Sequence, residues 1–361
     1  ERIASLTDHD RPRIFFTSSG SEAVESAMKI ARVAQAQAGH PERTVVISRE
    51  RGYHGVAYGG TSLSGLPANQ EGFGPFVENV INVDPDDLAK MEAVLEERRG
   101  EVAAIITEPV QGVGGVSPPE PGYLEGLRSL CDRHGAYLIF DEVITGFGRL
   151  GTWLAHQHFG VVPDLTSFAK AVTSGYVPLG GVIVGDEVRS ILEADPEFVL
   201  RHGFTYSGHP IACAAGLENI DIIEREGLID RVPVIADAFA TGLGPLVGTA
   251  HVDEVRGRGG MWALGLAAGT SEADVVAGLL ANGVIARSLP GTVTFCPPLV
   301  LTDDELDRVI EVVGSVAGCT GRSVDSFEDE DLDVARGDLA VLLVAGPNRI
   351  EPRPDACRLV V

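Results

Sequence analysis

The chain of 361 residues has 44% apolar residues, a net charge of −24, and no run near the roughly 18 apolar residues a membrane helix needs. Nucleic acid and anionic membranes select basic surfaces, so the acid excess argues against both and reads as a solvated acidic surface. Five scattered cysteines, Cys131, Cys213, Cys296, Cys319 and Cys357, form no Cys-x-x-Cys pair, which fits a reducing cytoplasm and neither a disulfide framework nor a zinc site.

A chain of this length buries a sizeable core and predicts one large domain with a smaller one. No signal peptide opens it; it starts at Glu1 rather than Met, and an N-terminal portion is expected to be missing. The first element with chemical content is "FFTSSGSEAVESAMKIAR", Phe15 to Arg32. Ser18, Ser19, Gly20 and Ser21 precede a helix there, and N–H groups and hydroxyls at a helix start suit an anion, phosphate above all. Ordinary N-capping accounts for the same residues equally well.

"RTVVIS" reads as a strand and leads into "RGYHGVAYGG". Tyr53 and His54 lie between glycines in that loop, where a ring-stacking face and a packed Tyr beside a surface His both fit. "DDLAKMEAVLEERRG" and "GYLEGLRSLCDRHG" read as helices around "VAAIITEP", and "AYLIFDEV" follows as the next strand. The two strands end in carboxylates, Glu108 and Asp141, and strand carboxyl ends form the ligand crevice of open α/β sheets. A buried Asp141 needs a partner, such as a protonated heterocyclic nitrogen, unless it caps the next turn.

Gly146 to Gly151 spells G-x-G-x-x-G, but Asp-Glu-Val-Ile-Thr intervenes after the strand and "TWLAHQHFG" is a poor cradle helix. A dinucleotide site is therefore rejected. His156 and His158 lack further ligands, and no metal site is expected. "DLTSFAK" and "LGGVIVG" read as strands, and "HPIACAAGLENIDIIEREG" as a helix. Alternation of this kind predicts an α/β domain, residues 1–232, with a mostly parallel sheet. From Pro233 the elements shorten around "VRGRGGMWALGL", "GVIARSL" and "TVTFCPP", and "TDDELDRVIEVVGSVAG" reads as a helix with a Thr cap. This predicts a smaller α+β domain over 233–320. An atypical acidic tail follows over 321–361, with "LAVLLVAG" as one strand, expected to be an appendage or partly disordered.

Lys170 stands out, because only three of the 28 basic residues are lysines and the other two, Lys29 and Lys90, fall on exposed helices. It follows the apolar run Leu165 to Ala169, and a lysine in an apolar setting is one whose amine is driven toward its neutral, nucleophilic form. A phosphate cradle, a stacking ring, a buried acid for a ring nitrogen and such an amine converge on pyridoxal phosphate.

In these residues the chain resembles the class III pyridoxal-phosphate-dependent aminotransferases, the ω-aminotransferases. The motifs "SGSEAVESAMKIAR", "GYHG", "EPVQG", "FDEVITGFGRLG", "FAKAVTSGYVPLGG", "TYSGHP" and "CPPL" run in matching order from about Phe15 to Gly318. "TSGYVPLGGV" and "GFTYSGHPIACAAGLENI" are most similar to the amine–pyruvate branch. The resemblance implies fold type I, with a seven-stranded sheet. It implies that Lys170 holds the cofactor as a Schiff base and shuttles a proton, and that Asp141 pairs with the pyridine nitrogen. Tyr53 and Val143 would cover the two ring faces, His54 and Glu108 would lie beside them, and Ser19, Gly20 and Ser21 would cradle the phosphate. Thr205 would reach that phosphate from the neighbouring subunit of a homodimer, with a tetramer left open. Arg287, ten residues before Pro297, matches the mobile arginine that binds the carboxylate of pyruvate or alanine and swings aside, toward Glu108, for an uncharged amine.

The expected activity is therefore a ping-pong transfer from an amine or ω-amino acid to pyruvate or another 2-oxo acid. An aminomutase, a decarboxylase and a truncated, impaired aminotransferase are the alternatives. Two departures stand against the family pattern. Ile144 stands where some relatives carry Gln, and the family's aromatic N-terminal segment is expected to be missing from the sequence as given.

Overall fold

The computed structural model describes residues 1–318. The tail expected over 321–361, with its strand, lies outside the described residues. The described chain divides into two compact units, residues 1–114 with 118–226, and residues 115–117 with those from 227 onward.

In the first unit the elements run β1 (Arg13–Thr17), α1 (Gly20–Gln37), β2 (Val45–Arg49), α2 (Tyr58–Leu63), β3 (Val80–Val83), α3 (Leu88–Glu97), β4 (Val102–Thr107), α4 (Tyr123–His134), β5 (Tyr137–Asp141), α5 (Ala155–Phe159), β6 (Leu165–Phe168), β7 (Gly180–Val184), α6 (Asp186–Leu192) and α7 (Pro210–Arg225). Seven strands form one sheet in the order β1-β7-β6-β5-β4-β2-β3. β3, β2, β4, β5 and β6 pair in parallel, while β7 runs antiparallel to both β6 and β1. The fold is α/β with a mostly parallel sheet, as the alternating pattern predicts.

Burial on both faces explains why the central strands are continuous apolar runs. All six residues of β4 and all five of β5 are buried. Side chains alternate across the sheet: Ala104, Ile106 and Ile139 pack with α1, whereas Ile105, Leu138 and Phe140 pack with α3 and α4. Ala23, Ala27, Ala31 and Ala34 share one face of α1 and are fully buried, so the helix lies close to the sheet. The sequence reading missed β1 and β3, the two edge strands. Both are short, and each is only partly buried.

The second unit carries α8 (Leu228–Leu243), β8 (Val252–Arg258), β9 (Met261–Leu266), α9 (Glu272–Ala281), β10 (Arg287–Leu289), β11 (Thr292–Phe295) and α10 (Asp303–Gly318). Its four strands form an antiparallel sheet in the order β10-β11-β9-β8. α8, α9 and α10 bury Phe239, Leu279 and Val313 in one core with Leu264, Val293 and Phe295 of that sheet. Phe239 sits 6.1 Å from Trp262 and 5.8 Å from Phe295, ring centre to ring centre. The expected domain start at Pro233 falls inside α8. Among the described residues no helix is long and apolar enough to cross a membrane.

Candidate active site

A cavity of about 210 Å³ opens in the first unit where β4, β5, β6 and α1 end or begin. Nine residues singled out from the sequence line it: Ser19, Gly20, Ser21, Tyr53, His54, Glu108, Asp141, Val143 and Lys170. Val24, Gly55 and Ile144 complete the lining. Val24 is one helical turn beyond Gly20, so the position of the helix start already implied it. Thr205 and Arg287 are not among the lining residues. Thr205 is exposed on the segment before α7, and Arg287 opens β10 in the second unit.

The start of α1 shows the N-capping that its residues allow. Ser19 is the N-cap, and its Oγ accepts from Glu22 N at 3.2 Å, while Glu22 Oε2 accepts from Ser18 N at 2.7 Å. Gly20 and Ser21 occupy the first helical positions, whose N–H groups have no acceptor within a helix. Ser21 Oγ accepts from Val56 N at 3.0 Å and so ties the Tyr53 loop to the helix start. Glycine is required twice here. A Cβ on Gly20 would stand 2.9 Å from Val143 Cγ1, and Gly55, at φ +88°, would place one 2.5 Å from Ser21 Oγ.

Asp141 and Glu108 stand at adjacent strand ends and are both buried. Asp141 Oδ2 lies 2.8 Å from His54 Nδ1, and Oδ1 accepts from Val143 N at 3.2 Å. His54 is therefore neither a surface residue nor a stacking ring, but a buried brace for the acid, with Nε2 lacking a hydrogen-bond partner. Nothing in the motif "GYHG" indicates a partner 87 residues away. Glu108 Oε1 accepts from Tyr53 N at 2.8 Å and Oε2 from Gly112 N at 2.9 Å, which fixes the backbone that carries Tyr53. Burial pushes the Glu108 carboxyl above its ordinary value; His54 opposes the rise and Asp141 adds to it.

Lys170 departs from the apolar setting expected of it. Phe168 and Ala169 are buried, but Lys170 is exposed, with φ +43°, at the start of a tight 3-10 turn over Lys170–Val172. The left-handed residue breaks the strand alternation and swings the side chain out of the core. The run Gly146–Gly151 is a chain of turns, with Gly146 N bonded to Glu142 O at 3.0 Å, and no helix opens on it. The short helix α5 follows instead, its first N–H groups taken by the buried Glu142 carboxylate. Among the described residues no cluster of three His, Cys, Asp or Glu side chains suits a metal ion.

A sheet whose strand ends set two buried acids and a lysine around one cavity, opposite a helix start, defines an enzyme that works on a small bound molecule. The family Aminotransferase class-III matches residues 1–316. An omega-aminotransferase of Caulobacter vibrioides is 37% identical over 88% of this chain and 78% of its own. The beta-alanine–pyruvate aminotransferase of Pseudomonas aeruginosa is 39% identical over 87% of this chain and 76% of its own. Among solved structures, a transaminase from the marine bacterium Virgibacillus superposes with a TM-score of 0.85 at 36% identity, covering 88% of this chain and 77% of that one. An amine transaminase from an uncultivated Pseudomonas species, in its pyridoxal-phosphate-bound form, gives 0.83 at 36% identity over 88% and 79%. The chain belongs to the class-III aminotransferases, and the reaction it serves is transamination.

Proposed function

We propose that this enzyme uses pyridoxal phosphate to move an amino group from an amine or ω-amino acid to pyruvate, or another 2-oxo acid, in a ping-pong cycle. The observation that carries the reading is the braced acid: Asp141, 4% exposed and held by His54 and by Val143 N–H, lines the same cavity as Lys170 and the start of α1. The residues fit the cofactor on their chemistry. The α1 start offers N–H groups and hydroxyls to a phosphate, and the room left by Gly20 is room that a Cβ would fill. A buried carboxylate needs a cationic partner, which a protonated pyridine nitrogen supplies.

When bound, the cofactor supplies an electron sink for the charge left on the donor carbon after its proton departs. Ser19, Gly20 and Ser21 bind the phosphate, while Tyr53 and Val143 cover the ring and exclude water. Asp141 holds the proton on the ring nitrogen, and His54 keeps that carboxylate oriented. Lys170 would hold the cofactor through its amine, and that amine would serve as the base that moves the donor's Cα proton. Glu108 anchors the Tyr53 backbone. Thr205 completes the phosphate site of a neighbouring subunit in a homodimer, and Arg287 binds the acceptor's carboxylate through its planar fork. The cytoplasm is the proposed location.

Similarity to proteins named for β-alanine, putrescine and pyruvate supports the donor and acceptor classes. The test is a screen of amines with pyruvate, following alanine formed. Lys170→Ala should lose both the bound-cofactor absorbance and turnover. Normal turnover in that variant overturns the proposal, and decay of the amine without alanine points to the aminomutase or decarboxylase chemistry.

A further inference from the structure

The turn that presents Lys170 is strained at more than one point. Lys170 and Ser174 are both non-glycine residues in the left-handed region, at φ +43° and +47°. Such residues persist only where their surroundings over-determine them. The turn's own backbone bonds are Val172 N to Ala169 O, Thr173 N to Lys170 O and Ser174 N to Ala171 O, each at 3.2 Å, with Tyr176 N to Thr173 O at 3.0 Å, and Thr173 Oγ1 donates to Val177 O at 2.7 Å.

One side chain of α7 bonds to the same turn at three points. Asn219 Nδ2 donates to Ala171 O at 2.8 Å and to Val172 O at 3.3 Å, and its Oδ1 accepts from Ser174 Oγ at 2.6 Å. The partners fix the amide's orientation, because two carbonyls can only accept and the hydroxyl is left to donate. The helix reaches the turn along one face. Ala212, Gly216, Asn219 and Ile220 recur at helical spacing. Ala212 and Ile220 are buried in a cluster with Val172 and Leu179. At Gly216 an added Cβ would stand 3.2 Å from Leu179 Cδ2 and 3.5 Å from Val172 O. The packed helix is thus close enough for one amide to bridge both sides of the bend.

We propose that Asn219 is a positioning residue for the reaction: its amide clamps the turn after β6 and so holds Lys170 Nζ in the direction from which it meets the aldehyde. The clamp rests on the cofactor reading given above. It acts on the lysine and not on the phosphate cradle, which belongs to α1. Loss of the amide therefore weakens the covalent event and spares recognition of the rest of the cofactor.

The test uses the full chain freed of cofactor and two probes, pyridoxal phosphate and its 4-deoxy analogue, which lacks the aldehyde. In capture, the neutral Lys170 amine adds to the aldehyde carbon, a C=N bond forms and water leaves. Borohydride then delivers hydride to that carbon, solvent protonates the nitrogen, and the label on Lys170 is read by mass spectrometry. Asn219→Asp keeps the acceptor for Ser174 and removes both donors. Capture by that variant should slow about tenfold, with affinity for the deoxy analogue, read by protein fluorescence, held within about twofold. Ser174→Ala removes a single bond and should slow capture about threefold with the same sparing. Equal losses for the two probes, or no loss for either, overturn the clamp. Where Asn219→Asp does not fold, Ser174→Ala decides by the same criterion. Failure of the unsubstituted chain to capture pyridoxal phosphate is a separate result, which overturns the cofactor reading and the clamp with it.

Discussion

Gly20→Ala separates the fold from the cradle. Gly20 opens α1 with an ordinary helical backbone, so alanine is not strained there and gains up to about 1 kcal/mol in helix propensity. The added Cβ meets Val143 Cγ1 at 2.9 Å, Val143 Cγ2 at 3.1 Å and Ala169 Cβ at 3.6 Å. Carbon atoms prefer about 3.5–4.0 Å, so Val143 must retreat by roughly 0.6 Å. Overpacking of this size costs about 1–3 kcal/mol, and the two effects together leave a loss of between about 0 and 3 kcal/mol. The cofactor-free variant should therefore melt within a few degrees of the parent. Cofactor affinity should fall further, because Val143 N–H also holds Asp141 and both residues line the cavity proposed for the cofactor. A drop of at least about tenfold is expected, equivalent to about 1.4 kcal/mol. Calorimetry of the cofactor-free chain and fluorescence titration with pyridoxal phosphate measure the two quantities. An affinity within about twofold of the parent would refute the placement of the cradle at Gly20.

Asp141→Asn keeps one acceptor but removes the charge facing His54, so kcat should fall by roughly 10²–10³ with the fold intact by circular dichroism; a smaller loss removes Asp141 from its role. Arg287→Ala should raise KM for pyruvate more than tenfold and leave KM for an uncharged amine unchanged; equal effects on both would refute the carboxylate role. His202 predicts acid sensitivity. Its Nδ1 lies 3.1 Å from Lys29 Nζ and its Nε2 lies 2.9 Å from Ser26 Oγ, an arrangement that suits the neutral ring. Burial lowers its pKa first and the Lys29 charge lowers it further, against Glu25. The unfolded chain then binds more protons, so stability present above about pH 6.5 is lost as pH falls through the depressed value. The melting temperature should drop below that pH, less steeply in Lys29→Met; equal slopes would show that another group is responsible.

Legibility tracked burial. β4 and β5 announced themselves as apolar runs because the sheet is covered on both faces, and Glu108 and Asp141 followed from where those runs stop. β1 and β3 stayed hidden because both edge strands are short and only partly buried. The partners of His54 and Asn219 were hidden for a different reason. A short loop motif or one polar residue on a helix carries no trace of contacts made across the fold. Lys170 does line the cavity, but its surroundings were misread, since period-two reasoning cannot foresee a left-handed residue at a strand end.

The reversed strand β7 has a consequence for how the site is gauged. Gly180 pairs with Thr17, the last residue of β1, and Gly181 pairs with Phe168, the last residue of β6. The stretch leading to the helix start and the stretch leading to the lysine are thus separated by two strand spacings, about 10 Å in all. Backbone hydrogen bonds set that interval, and they do not depend on which side chains the paired residues carry. Substitutions on the walls of the cavity can retune which molecule is accepted, while the span between anchor and amine remains a property of the backbone.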